Sequence, residues 1–95
     1  MEEKEVLKYL GIDENFLEFL QKLFKLKRSE LFNRLVAADT ETLDKIVVVA
    51  EKASSFGYAD QEVFFSWQIK RLITISLACD EILLEKAIKS YVPGG

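Results

Sequence analysis

The sequence predicts an all-α fold, a compact bundle of about five helices closed by a long, largely buried C-terminal one. Three observations carry this reading. Apolar residues recur every three or four positions along most of the 95 residues. No stretch alternates with period two for more than a few residues. Helix breakers are scarce: the one proline is Pro93, and the glycines are Gly11, Gly57, Gly94 and Gly95.

The first helix is expected over about 2–10, with Val6, Leu7 and Leu10 on one stripe and Gly11 at the left-handed position past its end. Asp13 caps a second, over 13–26, with Glu14 in its first turn and Lys22 and Lys25 in its last, the order that the helix dipole favours. Ser29 is expected to cap a short third helix reaching about Ala38. Asp39 or Thr40 opens a fourth over 40–56, closing at Gly57. Its Val47-Val48-Val49 run has strand composition, but the charges at 44, 45, 51 and 52 gather on one side at helical spacing.

The last helix, 60–91 with Asp60 as cap, is the most apolar. Glu62, Ser66, Lys70, Thr74, Glu81, Glu85 and Lys89 trace a narrow polar stripe, and most other positions are oily, as in a central helix. About thirty residues of helix run ~45 Å, against ~32 Å across for a compact chain of this size. The helix therefore either breaks, near Cys79-Asp80, or projects and leaves an end for a neighbouring subunit to cover. Residues 92–95 read as a flexible tail, and Pro93-Gly94-Gly95 lacks the β-grasp sheet that a diglycine modifier tail would need.

Composition narrows the function classes. Forty-nine per cent apolar and 31 % charged residues suffice for a core and exclude disorder. The absence of histidine and the single Cys79 remove histidine-based triads and most zinc, haem and iron–sulfur arrangements. No cofactor, metal site or small-molecule substrate is indicated, and no phosphate loop or nucleophile elbow is present. Glu14 with Glu18 and Glu81 with Glu85 share helix faces, but Lys22 and Lys89 follow one turn later, which reads as intrahelical ion pairing rather than acid–base chemistry. The longest charge-free run, Leu72–Cys79, is far short of the roughly twenty residues of a membrane span. The N-terminus is acidic, without a signal-peptide pattern. These features predict a soluble, cytoplasmic, non-enzymatic protein. The richness in Lys and Glu resembles heat-adapted composition.

Two surface candidates follow. Aromatics crowd adjacent helical positions that cannot all face one core, so Phe16, Phe19, Phe64, Phe65 and Trp67 are expected at a protein interface. The expected function is thus a small interaction subunit, homo-oligomeric or accessory to a larger complex. The alternative is an accessory nucleic-acid binder. Lys22, Lys25, Lys27, Arg28 and Arg34 face only Glu30 within thirteen residues, a local net of +4, and Lys70 and Arg71 could join them. Against it stand the chain's net charge of −3 and the acid-rich start of the fourth helix, Thr40-Glu41-Thr42-Leu43-Asp44, which is wrong for a major-groove reader.

Overall fold

Five helices build the chain: α1 (Glu3–Leu10), α2 (Glu14–Phe24), α3 (Arg28–Ala37), α4 (Thr40–Ala53) and α5 (Ser66–Tyr91). The computed structural model describes residues 3–56 and 64–91, and no strand occurs among them. The expectations about Gly57, Asp60 and the 92–95 tail lie outside the described residues.

Local chemistry sets most of the ends. Gly11 adopts φ +74°. Its N–H donates to the Lys8 carbonyl at 3.1 Å, and the Ile12 N–H to the Leu7 carbonyl at 3.0 Å. These are the paired bonds of a Schellman motif, and buried Leu7 and Ile12 supply its apolar contact. Asp13 Oδ1 accepts from the Phe16 N–H, and Asp39 Oδ1 from the Thr42 N–H, each at 2.8 Å. The Thr42 bonds hold the Asp39 carboxyl below its usual range.

Three boundaries depart from expectation. The third helix begins at Arg28, with Lys27 in the cap position and no side-chain cap, so Ser29 lies inside the first turn. The fourth ends at Ala53, because the hydroxyls of Ser54 and Ser55 donate to the carbonyls of Glu51 and Lys52 and so satisfy the last turn. The fifth begins at Ser66, leaving Phe64 and Phe65 before it. There the Gln68 side chain reaches back, and its Oε1 accepts from the Phe65 N–H at 3.0 Å, half of a capping box.

The core gathers Val6, Leu10, Leu20, Leu35, Leu43, Ile46, Val49, Phe64, Leu72, Ile75 and Cys79, all nearly or wholly inaccessible. Helix α4 packs along α5 more extensively than any other pair. The choice between a broken and a projecting last helix is decided for projection. The α5 helix runs unbroken through Cys79 and Asp80 for 26 residues, about 39 Å, and the molecule measures 52 × 25 × 21 Å. Burial along α5 extends from Gln68 to Ile82, and no residue after Ile82 is buried. Lys86 tethers the outer part, donating from Nζ to the Ala38 carbonyl at 3.0 Å.

Candidate functional site

The expected aromatic interface is divided by the fold. Phe64 is 0 % exposed and belongs to the core, which corrects its assignment to an interface. The chain is not yet helical there, so Phe64 turns inward while its neighbour Phe65 turns out. Phe16 and Phe19 are half-buried, their rings 5.5 Å apart. Lys45 Nζ sits 4.6 Å over the Phe16 ring and covers part of what remains. Phe65 and Trp67 are more than half exposed.

The basic residues are brought nearer to that exposed pair than the sequence foretold. Arg71 donates from Nη2 to the carbonyl of Leu26 at 3.1 Å, setting the start of α5 against the turn that carries Lys25, Lys27 and Arg28. Trp67 lies one turn from Arg71 and meets Phe24 edge-on, with ring centroids 6.3 Å apart. Lys25, Lys27, Arg28, Arg34 and Lys70 are exposed. Lys22 pairs with Glu18 at 4.0 Å, and Lys89 with Glu85 at 3.4 Å, the expected i, i+4 spacing. Exposed pairs of this kind stabilise a helix by a few tenths of a kcal/mol. Arg28 also lines an open depression of ≈ 670 Å³ with Ser29, Phe32 and Asn33.

A longer row of exposed apolar side chains lies elsewhere among the described residues, on α5. Ile73, Leu77, Leu84, Ile88 and Tyr91 are all exposed, the middle three by more than half and Tyr91 by 86 %. At 100° per residue they fall within about 60° of arc, one stripe about 27 Å long. Its outer members face away from the side on which Leu72, Ile75, Cys79 and Ile82 are buried, while Ile73 lies at the flank, one turn from buried Ile69 and Ser76. Asp80 and Glu81 border its middle, one on each side, and both are exposed. Ile73 and Ser76 also line a shallow recess of ≈ 300 Å³ with Ala50, Glu51 and Ser54 of the α4 end.

The amphipathic periodicity could have revealed this stripe, since Leu77, Leu84 and Tyr91 are seven residues apart. Sequence alone does not say which side of so apolar a helix meets α4, and that docking determines what is left outside. Cys79 is wholly buried, and burial, with Asp80 adding, pushes its thiol up to about 11. Among the described residues no cluster of His, Cys, Asp and Glu could hold a metal ion, and no helix is long and apolar enough to cross a membrane. Comparison with protein families, with curated proteins and with solved structures finds no match to this chain.

Proposed function

We propose that this chain is a small non-catalytic protein-interaction subunit, homo-oligomeric or accessory to a larger assembly, whose contact surface is the outward stripe of α5. The single observation that carries the reading is the exposed apolar row of α5, with Leu77, Leu84, Ile88 and Tyr91 on its outward side and Ile73 at the flank beside α4. An exposed apolar row of this kind, bordered by charge, marks protein contact sites. Full burial of a Leu or Ile side chain contributes about 1.5–3 kcal/mol, so covering this row contributes several kcal/mol toward holding a partner, against the entropy that association costs. Phe65 and Trp67, the exposed members of the expected aromatic set, lie outside this row.

A photo-crosslinking residue placed at Leu84, in the cells that make the protein, tests the reading. A protein adduct is expected at position 84 and none at Lys89, which lies off the stripe. No adduct at 84, with the fold intact by circular dichroism, overturns it.

A second reading, an accessory nucleic-acid surface, is favoured by one contact, the Arg71–Leu26 hydrogen bond that sets exposed Trp67 beside Lys25, Lys27 and Arg28. Cations that follow phosphates and an aromatic that stacks on bases are the ingredients of single-strand binding. Retention on a single-stranded oligonucleotide that weakens with salt and is abolished by reversing Lys27 and Arg28 supports it. Retention unchanged by the reversal overturns it.

A further inference from the structure

We infer that the outward stripe of α5 pairs with the same stripe of a second copy of this chain, antiparallel, about a two-fold axis midway between Asp80 and Glu81. The inference rests on the interaction reading above and names its partner. Its basis is a symmetry in the exposed positions. Reflected about the point between residues 80 and 81, Ile73 falls on Ile88 and Leu77 on Leu84, each an exposed aliphatic. A two-fold interface requires this self-complementarity, in which residue i meets j and j meets i. An arbitrary partner requires none of it, and the row then needs no centre.

The ends agree in charge as well as in position. The same reflection sets Lys70, exposed at the edge of the stripe, against Tyr91, the last residue of α5. An ammonium there meets the partner's aromatic ring and the negative end of its helix. Two such contacts form, one at each end.

The middle is the unfavourable part. An antiparallel pair brings Asp80 near the partner's Asp80 on one side of the seam, and Glu81 near the partner's Glu81 on the other. Both residues are solvent-exposed borders of the stripe rather than its floor, so the repulsion is screened by salt. A parallel pair sets each row in register as well, but it places Lys70 beside the partner's Lys70 and both negative helix ends together. The antiparallel arrangement is therefore the favoured one. The seam, about 27 Å long and one helix wide, is small beside the roughly 800 Å² per partner of a standard interface, so the dimer is concentration-dependent.

The test mixes two variants of the full chain that each add one exposed cysteine, Leu77→Cys and Leu84→Cys, one of them labelled with nitrogen-15, under mild oxidation. Wild type, whose Cys79 is buried, is the control. Absolute mass by light scattering across protein concentration is followed alongside. The expected result is a mass rising toward twice 10.9 kDa with concentration, a return to the single-chain mass on Leu84→Glu, and crosslinks several-fold richer in the mixed 77–84 species than in 77–77 or 84–84. Crosslinks confined to 77–77 and 84–84 overturn the antiparallel seam while leaving the interaction reading intact. A single-chain mass at every concentration also overturns it. In that case a foreign adduct at position 84 preserves the interaction reading, and no adduct removes both.

Discussion

Arg71 on α5 donates from Nη2 to the backbone carbonyl of Leu26, 45 residues earlier, at 3.1 Å. The bond ties the first turns of the longest helix to the turn between α2 and α3, where the Lys25 and Leu26 N–H groups donate to the carbonyls of Lys22 and Leu23. A hydrogen bond from a charged donor contributes about 1.5–3 kcal/mol, less where water reaches it. Arg71→Met, which keeps the apolar stem, is expected to cost about 1.5 kcal/mol, lowering Tm by roughly 6–10 °C. Thermal melting by circular dichroism checks this, and an unchanged Tm removes the contact from the account.

Phe64 and Phe65 stand side by side with opposite fates. Phe64 is 0 % exposed and Phe65 63 %. Phe64→Ala is expected to cost about 3–5 kcal/mol, the range for a truncated core aromatic. Phe65→Ala stays within about 0.5 kcal/mol, because the bond to Gln68 uses the backbone N–H and survives the change. Urea denaturation of the two variants decides, and equal losses would contradict the inward turn of Phe64.

Gly11 holds the bend between α1 and α2 at φ +74°, and a Cβ there meets nothing within 4 Å. Any loss on substitution is therefore backbone strain and not a clash. Gly11→Ala is expected to cost about 1–2 kcal/mol, and Gly11→Asn less, since asparagine tolerates the left-handed region. Equilibrium denaturation that ranks Gly, Asn and Ala in this order supports the account. An alanine as stable as wild type refutes it.

These cases show what was legible in the sequence. Gly11, Asp13 and Asp39 act within three or four residues of themselves, and such short-range chemistry is visible in a single chain. The ion pairs Glu18–Lys22 and Glu85–Lys89 are equally local. The start of α5 is not of that kind. Gln68, buried beside the core, supplies its cap, and the inward packing of Phe64 bends the chain just before it, so at residues 64 and 65 tertiary contacts override the helical pattern of the sequence. The inward turn of Phe64 and the half-burial of Phe16 and Phe19 were hidden for the same reason. Crowding of Phe16, Phe19 and Phe64 signals excess apolar surface, but neighbouring helices and the Lys45 ammonium absorb most of it. A further row of exposed apolar side chains lies where α5 outruns the body that packs on it.

Cys79 provides a titration that reports on that packing. Its thiol lies wholly within the core, on the α5 face opposite the exposed stripe, and its pKa rises from an ordinary 9.0 to about 11, chiefly through burial and secondarily through Asp80. Below pH 9 the thiol is protonated in both folded and unfolded chains, and the advantage of burying it uncharged is fully present. Between about pH 9 and 11 the unfolded thiol ionises while the folded one does not. The unfolded state then binds fewer protons, so stability falls as pH rises through this window. The informative quantity is the difference from Cys79→Ala, which isolates the thiol. Wild type is expected to lose more stability than Cys79→Ala between pH 8.5 and about pH 10.5, measured by denaturant midpoint. Parallel losses in the two proteins would mean that the thiol is not desolvated. In the folded protein at neutral pH the same burial predicts negligible reaction with a disulfide reagent until denaturant is added.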